Sequence, residues 1–144
     1  MEYTKKWCDD VPDRIIAKRI AKQKQREKAK LVWQSIQEQL HNGLPKDLKE
    51  HANDLYLWQI SITHPIVLSS VRKFCMAQRK KKNWFRRLWL HQFSTNITPE
   101  NVHELNNYIL PYVDCLLEKG YRVYFNHDSK ITEEAKLIIN WLEN

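Results

Sequence analysis

Between Arg79 and Trp89 cations and aromatic rings are interleaved: Arg79, Lys80, Lys81, Lys82, Asn83, Trp84, Phe85, Arg86, Arg87, Leu88 and Trp89. Single-stranded nucleic acids are held by cations on the backbone and by aromatic faces on which bases stack, so one short stretch carries both groups. A second cationic array lies upstream. Arg14, Lys18, Lys22, Arg26 and Lys30 recur at every fourth position, and on a helix that step draws a ridge roughly 24 Å long, drifting by about 40° per step. Arg19, Lys24 and Lys28 widen it, and Ala17 and Ala21 would let the helix approach a groove closely. Such a ridge can follow a phosphate backbone. The same segment also fits a solvated helix or a coiled-coil face, and Trp84, Phe85, Leu88 and Trp89 have the spacing of core residues. A basic aromatic helix lying on an anionic membrane ranks below these, because the upstream array has no comparable apolar face.

The two arrays hold all of the chain's net charge. Residues 14–30 carry eight Lys/Arg and one acid, Glu27; residues 72–87, counting Arg72 and Lys73, carry eight and no acid. The remainder has eight basic and sixteen acidic residues, against a net charge of +7 for the whole chain. No Asp or Glu occurs from Leu55 to Pro99. Segregation of this kind points to a polyanionic partner. The expected function is non-catalytic nucleic-acid binding by Arg14, Lys18, Lys22, Arg26, Lys30, Arg72, Lys73, Arg79, Lys80, Lys81, Lys82, Arg86 and Arg87. RNA or single-stranded DNA is favoured over duplex DNA, since no helix-turn-helix is readable and the second array is aromatic. The rival expectation is a protein-interaction module, a mobile-element type of inhibitor or adaptor, whose basic blocks dock on an acidic protein partner.

Arg86 and His91 form an R-x4-H pair that resembles the catalytic pair of the all-helical HEPN ribonucleases. The resemblance implies a histidine base on the 2′-hydroxyl and an arginine on the phosphate charge. It spans six residues, and Arg87 stands where that family favours a polar residue. On one continuous helix residues five apart differ by about 140°, so the pair is expected to diverge and not to cleave RNA. Asp128, Glu134 and Lys136 are similar to the D…E-x-K pattern of metal-dependent nucleases, in which E-x-K lies on a strand. Here Thr132, Glu133 and Glu134 read as a helix's first turn, where acids complement the dipole. The six histidines contain no H-x3-H pair, and no two cysteines are close enough for a zinc site. Two glycines cannot supply a phosphate loop or a G-x-G-x-x-G. No metal, cofactor or catalytic residue is expected.

Gly43-Leu-Pro-Lys-Asp-Leu48, Ser70-Val-Arg-Lys-Phe74 and Trp84-Phe85 loosely resemble the order of elements in ProQ/FinO-type RNA-binding domains. The glycine- and arginine-bearing hairpin that should follow is missing.

The elements that must position these residues read as mostly helical. Asp10, Val11 and Pro12 mark a helix start, and Gly43 with Pro45 a stop, so one helix is expected over about 11–42. Ala29, Val32, Trp33, Ile36 and Leu40 follow a helical apolar period, whereas only Ile15, Ile16 and Ile20 interrupt the charged half upstream, which should project. Short helices follow over Pro45–Tyr56 and from Pro65, and residues 57–63 suit a strand or a helix end. Trp84 to Phe93 is spaced for an amphipathic helix ending in a turn at Ser94–Ile97; Thr98, Pro99 and Glu100 open a helix that Pro111 should break and Gly120 should close. Residues 121–125 are the best strand candidate, with 57–63, 88–93 or the same strand of a second subunit, in a homodimer, as partner. Thr132 to Leu142 reads as a last helix. Trp33, Trp58 and Trp141 are expected in the core. The expected fold is mainly α: a single-domain helical bundle over 1–144, with a long basic N-terminal helix, a helical core over 43–144 and at most a small β element near 121–125. Three scattered cysteines suit a reducing compartment, and the N-terminus MEYTKKWCDD has no signal-peptide core. A cytoplasmic protein without a membrane span is expected.

Overall fold

A computed structural model describes residues 2–53, 57–80, 92–128 and 134–142. The fold is mixed α/β, not a helical bundle, because four strands form one antiparallel sheet in the order β1-β4-β3-β2. These are β1 (Leu57–Ile62), β2 (Gln92–Ile97), β3 (Arg122–Asp128) and β4 (Ala135–Asn140). The helices are α1 (Glu2–Asp10), α2 (Arg14–Glu38), α3 (Leu44–His51), α4 (Pro65–Lys80) and α5 (Leu110–Glu118).

The last expected helix is β4. Its partners fix the register: Ile60 with Leu137 on one side, and Phe125 with Leu137 on the other. Ala135, Leu137 and Ile139 are buried, as are Ile138 between the last two and Asn140 after them. A central strand flanked on both sides gains two ladders, and β-branched Ile138 and Ile139 suit the pleat. That outweighs the helix-start signal of Glu133 and Glu134. The expected turn at Ser94–Ile97 is likewise part of β2: Thr95 and Ile97 are buried while Ser94 and Asn96 are exposed, a period of two. Strand β3 lies where it was expected, but it pairs with β2 and β4, while β1 pairs with β4.

The long helix begins later and runs on further than expected. Asp10 ends α1, and Pro12 sits in a break before Arg14, whose cap residue is Asp13. A proline disfavours helical geometry in the residue before it, which accounts for the break at Val11. Gly43 does not stop the helix. It is right-handed (φ −84°, ψ −46°), and residues Gln39–Gly43 form a π-helical turn leading straight into α3. The Leu44 N–H donates to the Gln39 carbonyl five residues back, and the widened turn relieves the clash Pro45 would make in a regular helix.

Between Thr98 and Gly120 there is no single helix. A turn at Thr98 leads to one 3-10 turn, Val102–Glu104, and α5 starts at Leu110 with Pro111 in its first turn. Gly120 does close α5, at φ +92°. Its N–H donates to Leu117 O and that of Tyr121 to Leu116 O, both at about 3 Å, the paired bonds of a Schellman motif.

One core joins the helices to a single sheet face. Ala29, Trp33 and Ile36 of α2, Val67, Val71 and Cys75 of α4 and Val113 of α5 meet Ile60, Val123, Phe125, Leu137 and Ile139. Phe74 packs edge-on against Phe125, with ring centres 5.6 Å apart. Trp58 is half-buried and its indole N–H donates to Asp47 Oδ2 at 2.9 Å. Trp141 is also half-buried.

Candidate nucleic-acid interface

From Thr4 to Lys28 every residue is exposed, and Ala29 is the first buried residue of α2. The cationic half of α2 therefore overhangs the body by about 22 Å at 1.5 Å per residue. Ile16 and Ile20 are 46% and 47% exposed, against 8% for Trp33 and 2% for Ile36. Good helix formers, Ala, Lys, Arg and Gln, support this stretch without tertiary contacts.

Arg14, Lys18, Lys22, Arg26 and Lys30 are all exposed. At 100° per residue, Lys18, Lys22 and Arg26 lie within roughly 50° of the line through Ala29, Trp33 and Ile36. The ridge thus looks toward the side on which the helix is anchored. A polyanion lying along it would also meet the body. Ile16, Ile20 and Leu31 fall on the opposite side by the same geometry.

Helix α2 packs against α4, so the described parts of the two basic segments sit on neighbouring helices. On α4, Lys73 and Lys80 are exposed and Arg72 is half-buried. Arg79 turns inward: it is half-buried, its Nη2 is fully buried, and its charge acts on the Cys75 thiol. Burial nevertheless raises the Cys75 pKa overall, against smaller lowering effects from a Thr95 hydrogen bond and Arg79. Lys81, Lys82, Arg86, Arg87, His91 and the rings of Trp84, Phe85 and Trp89 lie outside the described residues. Phe93 belongs by its backbone to β2 rather than to an amphipathic helix.

A partly buried polar cluster, centred on buried Gln78 and Asn101, fixes the end of α4 from which the second basic segment continues. Gln78 Nε2 donates to Glu104 Oε2 at 2.7 Å, and Asn101 Nδ2 donates to Gln78 Oε1 at 3.2 Å and to the Asn96 carbonyl at 3.1 Å. Asn101 Oδ1 accepts the Thr98 N–H at 2.8 Å. These bonds tie α4, β2 and the 3-10 turn together.

Two residues outside the candidate set carry an arrangement suited to anions or rings. The Arg122 guanidinium lies 4.7 Å from the centre of the Tyr124 ring and donates to Asn96 Oδ1 at 3.3 Å. The signal was legible: in YRVYF, Arg122 and Tyr124 are two apart and so share a sheet face. The placement of E-x-K in a helix is overturned, since Glu134 stands just before β4 and Lys136 on it, paired with Asn126. Glu134 Oε1 accepts the Ser61 hydroxyl at 2.8 Å. Among the described residues no three His, Cys, Asp or Glu side chains gather around a point, and no helix is long and apolar enough to cross a membrane.

No protein family, curated protein or solved structure matches the chain. The HEPN-like pair and the ProQ/FinO-like order of elements therefore gain no support from relatives.

Proposed function

We propose that this chain binds nucleic acid, RNA or a single DNA strand, without catalysing a reaction. The phosphate backbone runs along α2 and reaches the outer cations of α4. The observation that carries the reading is the overhanging stretch of α2 and its continuation at Lys30: five cations at every fourth position are exposed there, and three of them, Lys18, Lys22 and Arg26, fall on the side on which the helix is anchored. An exposed ridge of this spacing meets phosphates without displacing any packed side chain.

The test is fluorescence anisotropy with labelled RNA, single-stranded DNA and duplex DNA over a salt series. Log affinity should fall with log salt by about 0.7 per phosphate on single strands and about 0.9 on duplex. Neutralising Lys18, Lys22 and Arg26 to Gln should reduce that slope by roughly 2 to 3. Neutralising Lys49 and Lys119, outside both segments, should leave it unchanged. A triple variant with the wild-type slope overturns the reading, and capture of an acidic protein by wild type but not by that variant would install the rival in its place. Nucleic acid should remain intact with and without Mg2+. Cleavage abolished by Glu134→Gln or by His91→Ala would instead make the chain a nuclease.

A further inference from the structure

Helices α3 and α5 face one another across an open groove of about 440 Å³, within the range of about 300–1,000 Å³ typical of small-molecule sites. The π-helical turn and α3 contribute Leu40, Leu44 and Leu48, and α5 contributes Tyr112, Cys115 and Leu116. Leu40, Leu44 and Leu116 are buried and make the floor; Leu48, Tyr112 and Tyr121 are half-buried walls. The Schellman turn at Gly120 sets Tyr121 beside Leu116.

The charged residues that line this apolar trough have one sign. Lys49 and Lys119 both line it and are exposed, and no Asp or Glu is among the described residues that do. The Tyr112 hydroxyl is engaged by His41 Nδ1 at 3.1 Å, with the two rings edge-on. That leaves the two ammonium groups as the charged partners for a ligand's polar head, above a lining of leucine, proline and tyrosine. An apolar body that fills the trough releases water from aliphatic surface, and an anionic head meets the lysines.

We propose that the α3–α5 groove binds a small amphiphile with an aliphatic body and a single carboxylate head, seated between Lys49 and Lys119. The site is separate from the cationic ridge of α2 and does not depend on the nucleic-acid reading. Cys115, exposed in the lining, provides a native reporter. With Cys8→Ser it is the one exposed thiol, since Cys75 is buried.

The experiment measures the reaction of Ellman's reagent with full-length Cys8→Ser protein in the presence of dodecanoate, dodecan-1-ol or dodecyltrimethylammonium, each below its micellar concentration. Dodecanoate should slow Cys115 modification at least tenfold at saturation, and the alcohol and the cation should need at least tenfold higher concentration for equal protection. The Lys49→Glu/Lys119→Glu double variant should invert that order, favouring the cation, while its circular dichroism and melting remain those of the parent. Equal protection by all three probes, an order unchanged by charge reversal, or no protection at any concentration would overturn the proposal. Should the double variant fail to fold, Lys49→Gln and Lys119→Gln singly must each weaken dodecanoate protection several-fold for it to stand.

Discussion

Asn101 offers a quantitative test of how the end of α4 is held. Its side chain makes three hydrogen bonds, to Thr98 N–H, Gln78 Oε1 and the Asn96 carbonyl, and the residue is 7% exposed. A typical intramolecular hydrogen bond contributes about 1 kcal/mol net, so Asn101→Ala should cost about 3 kcal/mol. Asn101→Asp keeps the shape and the acceptor for Thr98 but turns the two donated bonds into oxygen facing oxygen. Burial and those two acceptors favour the neutral acid, so the introduced carboxyl should have a folded pKa above its unfolded value of about 3.9. A group with a raised folded pKa supports the fold below its unfolded pKa and loses that support as pH rises through the folded value. The Asp variant should therefore fall further behind wild type between about pH 4 and the folded pKa, then level off. Urea unfolding followed by tryptophan fluorescence at several pH values measures both effects, provided the m-value is unchanged. An Ala variant within about 0.5 kcal/mol of wild type, or an Asp deficit that does not grow with pH, would refute the assignment of these bonds as the clamp.

Trp33→Ala should cost about 3 to 5 kcal/mol in the same assay, because the indole is packed beneath α2 at 8% exposure; an unchanged melting temperature would contradict that placement. Gly120→Ala should cost about 1 to 2 kcal/mol from its left-handed backbone, since an added methyl meets nothing within 4 Å and no clash contributes. A neutral outcome there would mean that α5 ends differently. In the Cys8→Ser protein, iodoacetamide should label Cys115 readily and Cys75 only on unfolding, because burial disfavours the Cys75 thiolate. Mass spectrometry that found Cys75 labelled faster than global unfolding would contradict the raised pKa.

What could be read from the residues alone was decided by whether one period dominated. Ala29, Trp33 and Ile36 had a clean helical spacing and no competing signal, and the charged half upstream had no apolar stripe, so the contrast in burial along α2 was legible. The strand at 121–125 was legible because Val123 and Phe125 alternate with Arg122 and Tyr124. Strand β4 was hidden because Leu137, Ile138 and Ile139 are buried consecutively, which gives a short apolar run with no period of its own. Acids before such a run resemble a helix start, whereas Glu134 is held by Ser61 of β1, a long-range contact that no local pattern encodes. Gly43 and Pro45 are residue types that usually end a helix, but here a π-helical turn absorbed the proline and the chain ran on into α3. Of the candidate interface, the exposure of the α2 ridge followed from its composition. The inward turn of Arg79 did not, since it depends on where Cys75 and β2 come to lie.

The pairing of β1 with β4 has a consequence for the chain as it is made. Leu57 lies opposite Asn140 and Ile62 opposite Ala135, so the ladder that β1 forms among the described residues must await residues synthesised long afterwards. At about 5–20 residues per second, a ribosome leaves β1 without that partner for roughly 4 to 15 s. The hairpin of β3 and β4 can form quickly once both have emerged, but β1 must then return across a long loop, which raises contact order and slows folding. Over that interval Ile60 and Ile62 have no sheet to join. Newly made chains should accordingly depend on holding chaperones far more than the finished fold does.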